Sequence, residues 1–281
     1  MMTKLYDVFV IGTASQDRLH LVDGRLAHSA GGAALYTALA AAKSRAATGL
    51  FAPKPQPMPQ VLQPVDAHVT WMGPLIAPDR LPRLEIAHHG GGRATLIDAS
   101  WGAEDQLDPK LMPNELLNTK TVHIAALSSA QRQLDFAQAV QKQVNPPLLS
   151  VGTYARLVYN ETHDVRRLLV LADLFFMNEN EAKGLFGSVE QAQTRPGARL
   201  FVTLDSEGVL VIEGSQATHV PGHPVPEIDP TGAGDTFCGA TLAGLAQGLS
   251  PVASAQQAVK LAAQTVRAVG PEALLGNSLP I

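Results

Sequence analysis

Apolar and polar positions along this chain are organised on two scales. Short runs rich in β-branched and aromatic residues occur at Tyr6 to Ile11, His68 to Met72, Thr121 to Ala126, Leu148 to Val151, Leu174 to Met177, Leu200 to Leu204 and Val209 to Ile212. Longer stretches with helical patterning separate them, at Ala33 to Ala47, Ala130 to Val144, Asp164 to Ala172, Glu179 to Phe186, Ala233 to Gln247 and Ser254 to Val269. Several short runs lack in/out alternation, as expected of strands covered on both faces. The pattern predicts an α/β fold, with a mostly parallel central sheet and helices on both faces. Open sheets of this kind bind ligands beyond the carboxyl ends of their strands. Residues at strand-to-helix turns therefore carry most of the functional information.

Two segments interrupt the alternation. Ala52 to Gln63 contains Pro53, Pro55, Pro57 and Pro59, which favour an extended connection and predict a surface loop. Glu85 to Asp98 contains Gly90, Gly91 and Gly92 ahead of the strand-like Arg93 to Ile97. Those glycines predict a turn at which the chain leaves the main layer.

Composition narrows the class of protein. The 281 residues, 46% hydrophobic and 16% charged, suit a single globular domain spanning 1–281. A net charge of −4 argues against a nucleic-acid partner, which calls for a basic face. Cys238 is the one cysteine, so no intramolecular disulfide can form, in keeping with a reducing compartment. Asp7 breaks the apolar run at the start, and no stretch reaches the roughly 18 apolar residues of a membrane span. The expectation is a soluble, cytoplasmic protein with a small-molecule substrate.

The segment richest in chemistry is Asp229-Pro-Thr-Gly-Ala-Gly-Asp235, which opens the helical stretch from Ala233. Glycines let a bound group approach the backbone, and successive N–H groups at a helix start face one point with a partial positive charge. Such a turn suits the negative charge on a transferring phosphoryl group. Asp235, in the first turn, could take the proton of an attacking hydroxyl. On physical grounds alone, a glycine-rich helix start with a dipole-favoured acid fits equally well.

The same residues resemble the C-terminal signature of the ribokinase-like (PfkB) carbohydrate kinases. The resemblance implies Asp235 as catalytic base and the amides of Gly232, Ala233 and Gly234 as an anion hole. It implies ATP and Mg²⁺, a ribokinase-like fold, and a small β lid from roughly Ala14 to Ala30 plus Glu85 to Ser100. Asp229 and Thr231 would border a monovalent-cation site, K⁺, in members that have one. Lid strands often pair between subunits in the family, which leaves a homodimer through the lid open.

Other positions extend the likeness. Asn178-Glu-Asn-Glu181 resembles the family's Asn-x-x-Glu motif, which organises Mg²⁺ and its waters, although Asn178 and Glu181 also have the spacing of a capping box. Phe201 to Gly208 looks like the strand and turn flanking the nucleotide; Thr203 and Gly208 match, whereas Asp205 stands where glycine is usual. The helical stretch from Ser254 would border the adenine. Asp17, in Ile11-Gly-Thr-Ala-Ser-Gln-Asp17, resembles the aspartate that binds substrate hydroxyls, and Gly31-Gly32 resembles the turn opening a helix in the substrate pocket. Tyr36 occupies a position where many members carry Asn, which points to a different or less polar acceptor. A sugar, a nucleoside and a related polyol all remain open. So does a non-catalytic ligand-binding or regulatory protein that kept the fold, given Asp205, Tyr36 and the short lid stretches.

Competing motifs are missing from the sequence. There is no Gly-x4-Gly-Lys-Ser/Thr, no Gly-x-Gly-x-x-Gly after the first strand and no Gly-x-Ser-x-Gly elbow. His88 and His89 are adjacent and on a strand would face opposite ways. Cys238 reads as a buried packing residue.

Overall fold

A computed structural model describes residues 5–91 and 93–276. The first four residues and Gly92, both used above, lie outside the described residues. Strands are numbered in chain order: β1 Val8–Ile11, β2 Ser15–His20, β3 Leu26–Gly31, β4 Thr48–Phe51, β5 Lys54–Pro55, β6 Thr70–Met72, β7 Leu75–Ile76, β8 Arg83–Gly90, β9 Arg93–Ser100, β10 Thr121–Ile124, β11 Leu148–Gly152, β12 Leu174–Asn178, β13 Arg199–Thr203, β14 Gly208–Glu213 and β15 Gln216–Pro221. The main sheet runs β15-β14-β13-β12-β11-β10-β1-β4-β6. From β13 to β6 every pairing is parallel, and the two pairings at the β15 edge are antiparallel.

The sequence of β1 shows why this sheet must be covered on both faces. All four of its residues are fully buried. Val8 and Val10 pack into one core cluster, with Leu35, Leu39 and Leu242; Phe9 and Ile11 pack into the other, with Leu134 and Leu168. Each such side chain contributes roughly 1.5–3 kcal/mol of burial, so both helical layers are anchored through a single strand.

A second sheet, in the order β3-β2-β8-β9, forms the lid. β2 pairs antiparallel with β3 and parallel with β8, and β8 pairs antiparallel with β9. The proline-rich segment is more ordered than a surface loop. Lys54 N–H bonds Pro74 O at 2.9 Å and Gln56 N–H bonds Ile76 O at 2.8 Å, and Leu62 is fully buried. Backbone donors spaced between the prolines tie the segment down. Helix ends also moved: Ala33–Lys43 stops at Ser44, and Pro251–Thr265 starts early because the Ser250 hydroxyl accepts from Ala253 N–H.

Candidate active site

The chain leaves β1 for the lid and later returns to flank it with β4 on one side and β10 on the other. The sheet order thus switches direction at β1, where a crevice opens beyond the carboxyl ends. A cavity of about 340 Å³ lies there, lined by the residues after β1, by the lid, and by the start of the helix Ala233–Ala246. Of the predicted residues, Asp17, Gly32, Tyr36, Asn178, Glu181, Thr203, Thr231, Gly232, Ala233, Gly234 and Asp235 all line it.

The loop before Asp235 has the geometry its sequence suggested, with one adjustment. Gly232 is the N-cap, at φ 75° and ψ 7°, a conformation that costs other residues free energy. The ring of Tyr36 lies against it, and a Cβ at Gly232 would stand 2.4 Å from that ring. Ala233 N–H is turned back onto Pro230 O at 3.2 Å. Among the described residues the N–H groups of Gly232, Gly234 and Asp235 have no such partner. The N–H groups of this turn left without a backbone partner are therefore those of Gly232, Gly234 and Asp235, while that of Ala233 is engaged. Burial pushes the Asp235 carboxyl up to about 6. A carboxylate poised there is ionised at neutral pH yet basic enough to take a proton.

β2 brings a second carboxyl group to the cavity. Asp17 is buried, and its Oδ1 has no hydrogen-bond partner. Burial pushes its carboxyl up to about 7, and the charge of Asp229 adds to the effect. Gly31 of β3 pairs with Ser15, two residues away on β2; a Cβ there would stand 1.8 Å from Asp17 Oδ2, so Gly31 clears the space that Asp17 fills. Ser15 Oγ, Tyr36 Oη and Thr153 Oγ1 are likewise buried without partners, and their residues line the same cavity. Unsatisfied buried polar atoms are costly, and a cluster of them around one cavity marks where a polar ligand makes its bonds.

Because the folded-state value of Asp17 lies above the ordinary carboxylate value, its contribution to stability is most favourable in acid and falls as pH rises towards about 7. Asp17→Asn is expected to raise the ligand-free melting temperature at pH 8, by a gain on the order of 2 kcal/mol. The gain should vanish near pH 4, and acceptor KM should rise. Thermal melts of both proteins across this range check it; a destabilised variant at pH 8 would contradict it.

Asn178 and Glu181 form a full capping box at the helix Glu179–Phe186. Glu181 Oε2 accepts from Asn178 N–H at 2.9 Å, and Oε1 accepts from Asn178 Nδ2 at 2.8 Å. Burial, together with the nearby charge of Asp235, pushes Glu181 up to about 8. A carboxyl whose ionisation is opposed by burial and by a second carboxylate in the same cleft is one that a divalent cation relieves.

A second cavity, of about 320 Å³, adjoins the first and shares Asn178, Thr203, Pro230, Ala233, Gly234 and Phe237 with it. Its far wall holds Val259, Ala262, Ala263 and Val266 from the C-terminal helical region, facing Asp205, Gly208 and His223. Asp205 adopts φ 48°, which accounts for glycine being usual at that point of the turn; Asp is among the residues that tolerate it. Its carboxyl is raised by burial.

The model of the pfkB family carbohydrate kinases matches residues 6–275. The chain belongs to the PfkB family. A cytidine kinase from Thermococcus kodakarensis is 29% identical over 259 residues, covering 87% of this chain and 90% of that one. The structure of a ribokinase from Cryptococcus neoformans in complex with ADP superposes with a TM-score of 0.81 at 18% identity, covering 98% and 97% of the two chains. The adenosine kinase from Sinorhizobium meliloti gives a TM-score of 0.80 at 18% identity, covering 95% and 96%. This protein is thus a PfkB kinase of sugars or nucleosides with the ribokinase-like fold.

Several residues of the PfkB site were not marked in the sequence. Trp101 and Tyr154 line the first cavity with ring centroids 6.4 Å apart, and Leu84 and Ile86 of β8 join them. His123 of β10 lies at the cavity floor, fully buried, with Nδ1 2.8 Å from Ser150 Oγ; burial pushes it down to about 3, so it stays neutral. A histidine inside the apolar run Thr121 to Ala126 was the available signal. Cys238 is buried 3.7 Å from that ring, as a packing residue would be. Among the described residues no helix is long and apolar enough to cross a membrane.

Proposed function

We propose that this kinase moves the γ-phosphoryl group of ATP to a hydroxyl of a sugar, nucleoside or related polyol. The observation that carries the reading is the position of the Gly232–Asp235 segment: Ala233 and Gly234 belong to the wall shared by the two cavities, and Asp235 faces the first. The acceptor occupies the cavity of Asp17, with hydroxyls on that carboxylate. The nucleotide lies in the second cavity, its base against Val259 and Ala262 and its phosphates reaching past Thr203 to the loop.

Asp235 takes the proton of the acceptor hydroxyl as its oxygen bonds to the γ-phosphorus. The bond from that phosphorus to the bridging oxygen breaks, and ADP leaves with the electron pair. N–H groups of Gly232, Gly234 and Asp235 hold the charge on the phosphoryl oxygens. Mg²⁺ bound to the nucleotide phosphates supplies charge neutralisation; Asn178 and Glu181 would hold its waters. The nucleotide phosphates would supply most of its ligands, as is usual for Mg²⁺.

The test is ADP release from MgATP across a panel of sugars, sugar phosphates, nucleosides and polyols. Acceptor-dependent release is expected. Silence across the panel, from protein that binds the nucleotide, would favour a binding protein that kept the fold.

A further inference from the structure

The lid meets the catalytic loop through one side chain. His88 of β8 is turned inward while its neighbour His89 is exposed and bonds Thr95 Oγ1 at 2.9 Å. His88 Nε2 lies 3.0 Å from Thr231 Oγ1 and 3.4 Å from Asp229 Oδ1, and the side chains of His88 and Asp229 are both fully buried. His88 Nδ1 is buried with no partner, so the polar contacts of the ring run through Nε2.

Asp229 and Thr231 are the residues that the family likeness places beside a monovalent cation. Here their oxygens already serve nitrogen donors. Asp229 Oδ1 accepts from Thr231 N–H at 2.8 Å, and Oδ2 accepts from Gly270 N–H at 2.7 Å. Thr231 Oγ1 is engaged by the imidazole. A K⁺ site needs a shell of oxygens, and the side chains here turn to a ring nitrogen instead. A buried carboxylate requires donors or a cation; Asp229 has donors from the loop itself, from the segment after Thr265, and from the lid.

We infer that His88 takes the place of the monovalent cation, so that the order of the catalytic loop depends on the lid and not on K⁺. With His88 on Asp229 and Thr231, the lid holds the turn that carries Gly232 and Gly234. His88 is a positioning residue: it acts through Asp229 and Thr231.

The inference rests on the kinase reading for its activity arm and on melting for its independent arm. Turnover of the wild type in K⁺, Na⁺ and tetramethylammonium chloride at equal ionic strength is expected to agree within about twofold, since screening is then constant. Melting temperatures in the three salts should coincide, because a bound cation would raise one of them. Tenfold or greater stimulation by K⁺, or a K⁺-specific rise in melting temperature, would overturn the inference. His88→Ser should lower kcat by about tenfold with acceptor KM little changed, as expected when a positioned group is lost, and K⁺ should restore part of it. A folded variant with wild-type kcat and no salt response would also overturn it. If the variant does not fold, the wild-type salt series decides. If no acceptor is turned over, the melts still judge His88 while the kinase reading falls separately.

Discussion

Asp235→Asn should reduce turnover by about 10²–10⁴-fold, the range of a lost general base, with nucleotide affinity nearly unchanged. The amide keeps the shape of the carboxylate at the first turn of the helix Ala233–Ala246 and leaves the loop N–H groups in place. It cannot accept the hydroxyl proton. The wild-type carboxyl, raised to about 6 by burial, must be ionised to work, so kcat/KM should climb with pH through about 6 and then level. The residual rate of the variant should lack that limb. Steady-state kinetics from pH 5 to 8, with calorimetric nucleotide binding, check both parts. Near wild-type turnover in Asp235→Asn would refute the mechanism.

Gly232→Ala should be nearly as damaging by a different route. The added methyl meets two penalties at once: a left-handed φ of 75° and the ring of Tyr36 at 2.4 Å. Tyr36 is buried, so the ring has little room to retreat. Strain and overpacking together should cost on the order of 3 kcal/mol of stability, and the displaced amides should lower kcat. Gly234→Ala is the control. A Cβ at Gly234 meets nothing within 4 Å, and its φ is not positive. That variant should melt like the wild type, and any loss of turnover would report contact with a bound phosphoryl group. Equal melting of Gly232→Ala and the wild type would show that the loop tolerates what the geometry forbids.

The half of the candidate site around the Gly232–Asp235 turn was legible because it is local. The Asp229 to Asp235 segment, Asn178 with Glu181, and Thr203 with Gly208 each lie within a few residues of a strand or helix end, and the structure gathers them at two adjoining cavities. The lid was harder, for a reason visible in β2. Burial along Ser15–His20 favours alternate positions, but two of the three buried residues are Ser15 and Asp17. Hydropathy therefore does not alternate, because the inward face carries polar groups where a core strand would carry apolar ones. β4 escaped notice through Gly49, whose missing side chain makes room for Phe9; a Cβ there would stand 2.6 Å from that ring. His88, Trp101, His123 and Tyr154 come from four separate stretches of the chain. Only the topology brings them together, and no spacing within the sequence encodes it.

Only one of the two cavities draws on the first part of the chain. The cavity proposed for the acceptor is lined by residues of 13–101 together with residues of 123–238, whereas the one proposed for the nucleotide draws almost all of its lining from residues 203–266. On that assignment residues 13–101 bear on the acceptor alone. Drift or recombination in the first part can retune which alcohol is modified and leave the energy source untouched. A scaffold divided in this way can diversify its clientele while keeping one engine.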